Sequence, residues 1–243
     1  MFRMLSDMIL RRRSVRSYTT DAVDEAVLAE ITAFVAGLKP LFPEAAPEAR
    51  IISTKEAVFL QKWHNPQFFV FYAPATEEGL LNVGFMYQQL DLYLQSKGLG
   101  TCWVGLGAPA DAVHKPPQGM KLAVMMAFGH PDNVPERSGE TDFRRHKMAD
   151  ITDVPDGRLE PARLAPSATN SQPWAFLHEG DTIHVYREKL ALIKARTHGR
   201  MNQIDMGIML AHLYVCHPET FRFERREAHP EKAAYLYIGS VTL

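Results

Sequence analysis

Cysteine is scarce in this chain: two in 243 residues, Cys102 and Cys216, far apart in sequence. Neither has a partner at the spacing of a zinc site. The pair suits two buried free thiols of a cytoplasmic protein better than a disulfide framework, although a single bridge stays open. Long apolar runs are also missing, none approaching the roughly 20 residues of a membrane span. The opening "MFRMLSDMILRRR" is broken by Asp7 and has no small-residue cleavage site, so no secretory signal is expected. Charge of one sign is lacking too. A net charge of −1 offers no overall field to nucleic acid or anionic lipid. The sequence has no HExxH, no Gly-x-Ser-x-Gly and no P-loop. Its ten histidines are scattered, and His184 and His212 fall in apolar segments that read as core. No nucleophile stands beside a base. Neither a catalytic side chain nor a resident metal is expected, so any chemistry has to come from a bound organic cofactor.

What is present is an ordinary globular composition, 46% apolar and 23% charged, long enough for one large domain or two small ones. Val23 to Leu38 has helical periodicity, ended by Gly37 and Pro40, and the prolines of "PLFPEAAPEAR" mark a loop. Phe68 to Ala73 is a buried strand, Leu80 to Gly98 a helix apolar on more than one face, "TCWVGLG" an extended loop and "KLAVMMAFG" a second buried strand. A polar, turn-rich segment from His130 to Ile151 crosses the surface. Then follow a strand in "TIHVYR", a helix from Met201 to Cys216 and a strand in "AAYLYIG". The strand–helix–strand order repeats. Each helix carries Gly-x-Met (Gly84-Phe85-Met86, Gly207-Ile208-Met209), and each last strand ends in an apolar residue plus glycine. This reads as an internal duplication, with halves 1–150 and 151–243. Any two α/β halves, however, share such a pattern at this level of detail.

Four stretches could carry chemistry. In "RRRSVR", guanidinium groups and the Ser14 hydroxyl suit a phosphate, and Arg12, Ser14 and Arg16 alternate so that an extended backbone would put them on one side. A solvated basic turn is the plain alternative. The glycines of "GLGTCWVGLG" follow a helix instead of opening one, and Trp103 replaces the third glycine of a dinucleotide fingerprint. They suit close approach of backbone N–H groups to a flat ligand, or simply a helix C-cap followed by a packed Trp. "DFRRHK" is a second basic cluster, able to complete a phosphate site or to lie solvated. In "PSATNSQPW", Ser167 and Ala168 are small enough for a ring to lie on the backbone. Asn170 and Gln172 bring amides, and Pro173 is expected to hold Gln172 extended. Asn170 and Ser171 could equally just cap a turn.

Together these pieces resemble the FMN-dependent nitroreductase family. "RRSVRSY" looks like its N-terminal phosphate segment, "GLGTCWVG" is similar to its flavin-edge segment, "FRRHK" resembles its late basic pair, and "APSATNSQPWAF" looks like its most recognisable motif. The resemblance implies an α+β nitroreductase-like fold of two pseudo-twofold-related halves with mainly antiparallel sheets. Position by position, it gives Arg12, Arg13 and Ser14 to the phosphate and Arg16 to the pyrimidine side of the flavin. Trp103, Val104 and Gly105 would run along the flavin edge. Arg145 would be the late phosphate arginine, with Arg144 as the neighbour an alignment slip would choose. Pro166, Ser167 and Ala168 would form the turn against the isoalloxazine, fixed by Asn170. It also implies NAD(P)H as co-substrate and a ping-pong reduction of a nitroaromatic or quinone. A flavin-binding protein without turnover is the alternative.

One departure matters. The usual member carries the Pro-Ser motif soon after the arginines, ahead of the Gly-rich segment. Here that slot holds "AGLKPLFPEAAPEARI" and the motif comes after everything else. In the family's dimer one subunit supplies the arginines and the other the Pro-Ser turn. Two fused, diverged halves would therefore make one complete flavin site per chain, with the symmetric site lost, and the chain would be a monomer mimicking the family dimer.

Overall fold

The structure is a computed structural model, and it describes residues 1–60, 63, 66–134, 137 and 142–243, apart from the side chains of 192–198. The chain begins with helix α1 (Phe2–Arg11), which the sequence reading passed over. Leu5 and Ile9 lie on its buried face, against α3 and α6. Helix α2 (Glu25–Gly37) falls where the periodicity put it. The first sheet contains β1 (Glu48–Ile52), β3 (Gln67–Pro74), β4 (Gly100–Val104) and β6 (Met120–Gly129), in the order β1-β3-β6-β4, all antiparallel. The second contains β7 (Trp174–Glu179), β8 (Thr182–Glu188), β9 (Arg222–Glu224) and β10 (Tyr235–Thr242), in the order β7-β8-β10-β9, again antiparallel. A short ribbon pairs β2 (Ala57–Phe59) with β5 (Gly107–Pro109). Single-turn helices α4 (Met148–Ile151) and α5 (Glu160–Arg163) connect the two sheets.

The two sheets follow one plan. In each, the strands lie in the order first, second, fourth, third, and a long helix joins the second strand to the third. Those helices are α3 (Glu77–Ser96) and α6 (Leu192–Cys216). The pairing of second and fourth strands is irregular in both sheets, at Phe71/Tyr72 in one and at Tyr237/Gly239 in the other. Helix α3 is apolar on most of its circumference because it is central: Leu81, Phe85, Tyr87, Leu90 and Leu94 are all buried. The Thr76 hydroxyl caps it by accepting the Gly79 N–H, and Gly98 ends it at a φ of 79°, where L side chains are strained. One hydrophobic cluster runs from Phe69, Phe71 and Met126 of the first sheet, through α3 and α6, to Trp174, Phe176 and Ile183 of the second.

Several readings of local pattern are corrected. "TCWVGLG" is not a loop: it forms most of β4 and enters β5, because a Gly-rich stretch still supplies the N–H and C=O groups that β6 needs. Glu48 to Arg50, placed in a Pro-rich loop, open β1. Helix α6 starts at Leu192, well before Met201, so Gly207 lies inside the helix and not near its start. Cys102 is buried and Cys216 only partly so, and both thiols are free. Part of the polar segment 130–151 lies outside the described residues. No helix among those described is long and apolar enough to cross a membrane.

Candidate functional site

A cavity of about 510 Å³ opens between β4, the turn before β7 and α6, within the size range of small-molecule sites. Its walls come from widely separated parts of the chain. Ser14 and Arg16 arrive on the segment that leaves α1, which is fastened to β4 by the Val15 N–H donating to the Thr101 carbonyl at 2.7 Å. Trp103 and Val104 of β4, with Gly105 after it, form a second wall, and the turn Pro166–Ala168 a third. Met201, Ile204, Asp205 and Ile208 of α6 complete it. The structure thus brings together eight of the twelve residues singled out in the sequence, including a turn some sixty residues beyond the Gly-rich strand.

The other four, Arg12, Arg13, Arg145 and Asn170, stand beside the cavity and do not line it. Arg12 does not share a face with Ser14 and Arg16. It is 2% exposed, and its Nε donates to the Asp91 carboxylate of α3 at 2.8 Å. Asp91 also accepts from Gln88 Nε2 at 2.8 Å, Gln95 Nε2 at 3.1 Å and the Thr101 hydroxyl. A carboxylate buried with that many donors holds the N-terminal segment against the core. The backbone N–H of Arg13 donates to Gln95 Oε1 at 3.0 Å. Arg145, not its exposed neighbour Arg144, turns inward: its Nη1 donates to Asn170 Oδ1 at 2.7 Å and its Nη2 to the Leu164 carbonyl at 3.2 Å. Asn170 Nδ2 returns a bond to the Arg144 carbonyl at 2.8 Å. "DFRRHK" and "PSATNSQPW" are therefore stitched into one unit.

The backbone of that unit is unusual. Thr169, Asn170 and Gln172 have φ of 53°, 59° and 47°, values that cost on the order of 1–3 kcal/mol each in non-glycine residues. Pro173 disfavours the right-handed helical region for Gln172 but does not leave it extended as expected. Hydrogen bonds decide otherwise. The Gln172 N–H donates to the Ser167 hydroxyl at 2.9 Å, its Oε1 accepts the His146 N–H at 2.8 Å, and its Nε2 donates to the Asn170 carbonyl at 3.2 Å.

The electrostatics beside the turn favour an anion. Burial, with the positive charges of Arg12, Arg137 and Arg163, pushes the Arg145 guanidinium down to about 10. Arg12 Nη2 and Arg145 Nε are both buried without a hydrogen-bond partner among the described residues. Arg137, which sequence reading missed, adds to the group, its Nε donating to the Arg12 carbonyl at 2.8 Å and its guanidinium lying 3.9 Å from the Phe143 ring centre. Clustered guanidinium groups with unmet donors fit a phosphate. Asp205, the other omission, is an acid inside the apolar run "MNQIDMGIML". That intrusion was its signal in the sequence. It is 3% exposed, and burial pushes its carboxyl up to about 8. Both its oxygens accept the Ala168 N–H, at 3.0 and 3.1 Å. No group of His, Cys, Asp and Glu among the described residues could hold a metal ion.

Two antiparallel sheets of one plan, packed on two central crossing helices, define a fold of the nitroreductase class. The solved structure of a protein from Thermotoga maritima, described as a putative nitroreductase, matches with a TM-score of 0.62 at 20% identity, over 99% of this chain and 91% of that one. The chain belongs to the family described as "Putative TM nitroreductase", whose model matches residues 4–217. Two further structures match more weakly. An FMN-dependent nitroreductase from Clostridium difficile has a TM-score of 0.45 at 17% identity, over 59% of this chain and 95% of that one. A nitroreductase with bound FMN from Desulfitobacterium hafniense has a TM-score of 0.45 at 13% identity, over 59% and 98%. A search of curated protein sequences gave no match.

Proposed function

We propose that this chain is an FMN-dependent NAD(P)H oxidoreductase that reduces a nitroaromatic, quinone or related acceptor by a ping-pong mechanism, with one flavin site per chain. The observation that carries the reading is the meeting, around one cavity, of Ser14, Arg16, Trp103–Gly105 and Pro166–Ala168, with unmet guanidinium donors beside it. FMN would supply the hydride-accepting ring that no side chain of this chain provides.

The protein's own part is binding and orientation. Arg12, Arg13, Ser14 and Arg145, with Arg137, would receive the phosphate. Asn170 would act indirectly, holding Arg145 in place instead of touching the ring. Arg16 would stand on the pyrimidine side, where its positive charge favours an anionic ring. Pro166, Ser167 and Ala168 would support one face, and the edge strand β4 with Gly105 just after it would present backbone N–H groups. The nicotinamide and then the acceptor would use the same open side in turn.

We also propose that residues 1–150 and 151–243 are fused copies of one ancestral unit. The shared strand order and the matching bulges support it. So does the slot before β1, where the first half has Pro43–Ala45 in place of the Pro-Ser turn. One chain would then serve as a whole family dimer, as a monomer in the NAD(P)H-rich cytoplasm.

The test is the visible spectrum of the purified protein after saturation with FMN and removal of the excess, followed by NADPH oxidation with a quinone. About one flavin per chain and steady turnover are expected. Flavin uptake without turnover would leave a binding protein. A protein that takes up no FMN would end the flavin reading.

A further inference from the structure

The cavity is poor in groups that exchange protons. Its lining among the described residues contains no histidine, lysine, glutamate or tyrosine. Its ionisable lining side chains besides Asp205 are Arg16, Arg200 and Cys102. Cys102 has its thiol pushed up by burial, and its Sγ lies 3.5 Å from the Trp103 carbonyl. Among the described residues, Asp205 is the one carboxyl on the wall.

The symmetry of the fold supplies an internal comparison. Asn82 stands two residues before Gly84 in α3, and Asp205 two residues before Gly207 in α6. Each holds the turn that precedes the first strand of its own half. Asn82 Oδ1 accepts the Leu41 and Phe42 N–H groups at 2.9 and 3.1 Å, and its Nδ2 donates to the Phe42 and Ala45 carbonyls at 2.7 and 2.9 Å. An amide therefore suffices for the stitching, and it spends all of its capacity there. Asp205 has the equivalent task and holds a single backbone N–H, that of Ala168, between its two oxygens. A carboxyl in that place keeps one oxygen for the turn and has the other to carry a proton.

We propose that Asp205 is the proton donor of the cavity, delivering to the acceptor the proton that must accompany hydride transfer. The assignment rests on the oxidoreductase reading above. For a quinone, a hydride supplied from the reduced cofactor brings two electrons and one proton to the substrate. The Asp205 O–H bond breaks, its proton passes to the substrate oxygen that has become negative, and the bonding pair stays on the carboxylate. Water then returns a proton to Asp205. The product is the hydroquinone, the cofactor is left oxidised, and Asp205 is protonated again.

The surroundings of Asp205 agree with this role. Its environment is burial, the Ala168 N–H and the nearby Ser171 hydroxyl, and no charged group contributes. The charges that share its cavity are Arg16, from the segment after α1, and Arg200, whose Nη2 is engaged with the Leu122 carbonyl at 2.6 Å. With its carboxyl at about 8, the acid is protonated at neutral pH, and its delivery of a proton falls away as pH rises through that value.

The experiment compares wild type with Asp205→Asn, which can still hold the Ala168 N–H as Asn82 holds its turn. Anaerobically reduced, FMN-loaded protein is reoxidised in a stopped-flow instrument by a benzoquinone, which needs protons, and by ferricyanide, which needs none. The quinone-to-ferricyanide rate ratio should fall at least about tenfold in the variant. In wild type the same ratio should decline as pH rises through about 8. An unchanged ratio in the variant, or a flat wild-type profile, overturns the assignment. A wild-type protein that takes up no FMN or reduces neither acceptor overturns the oxidoreductase reading itself. Carbon-13 NMR of the cofactor-free protein adds a readout independent of turnover. An Asp205 carboxyl that titrates in the ordinary carboxylate range overturns the proposal even if D205N fails to fold.

Discussion

Gly84 and Gly207 occupy each other's notch at the crossing of α3 and α6. A Cβ on Gly84 would lie 2.0 Å from the Ile204 carbonyl oxygen and 2.7 Å from the Ile208 nitrogen. One on Gly207 would lie 2.1 Å from the Leu81 carbonyl oxygen and 2.8 Å from the Phe85 nitrogen. The partners correspond: in each case the atoms met belong to the residue three before, and the residue one after, the opposite glycine. This is the reciprocity of an isologous contact, found here within one chain.

The contact sets the first prediction. The atoms in the way are backbone and cannot swing aside, so Gly84→Ala and Gly207→Ala must each force the two central helices apart. Each should destabilise the protein by about 3 kcal/mol in urea unfolding. A loss near zero would mean the helices do not cross this closely.

Asp91 is the counter-charge of buried Arg12, and both side chains are almost wholly inaccessible. Asp91→Asn keeps the shape but leaves a guanidinium without its anion. A loss of about 3–5 kcal/mol in denaturant unfolding is expected, with a weakened grip of the N-terminal segment on β4. Unfolding indistinguishable from wild type would show that Arg12 reaches solvent.

Arg145→Ala tests the phosphate cradle. Charge-assisted hydrogen bonds are worth about 1.5–3 kcal/mol, so FMN should bind about 10- to 100-fold more weakly by fluorescence titration. Riboflavin, which has no phosphate, should bind the variant and the wild type alike. Equal losses for both ligands would place Arg145 in the support of the turn and not at the phosphate.

The buried acid sets a pH dependence of stability. The Asp205 carboxyl lies at about 8 in the folded chain, against an ordinary value of 3.8. Between these values the folded chain holds a proton that the unfolded chain has released. Stability from this group is therefore complete below about pH 4 and is lost as pH rises to about 8. Asp205→Asn removes the dependence, so the Tm of the variant relative to wild type should climb from pH 5 to pH 8 and then level off. A difference independent of pH would mean the carboxyl is ionised throughout.

The sequence by itself determined the repeated strand–helix–strand order and nearly all of the elements carrying it. Periodicity and glycine or proline punctuation are local properties, and β3, α3, β6, β8 and β10 needed no others. It also marked the segments that meet at the cavity, because hydroxyls, glycines and guanidinium groups show their chemistry in any context. Other features were decided only by the tertiary structure, which brought in partners distant in sequence. Arg12 turned from an expected shared face to a buried ion pair because Asp91 lies some eighty residues away. Gln172 took a positive φ because His146 and Ser167 held it there. Arg145 rather than Arg144 faced inward because Asn170 received it. Asp205 became a buried acid at a cavity wall only when the turn at Ala168 closed over α6.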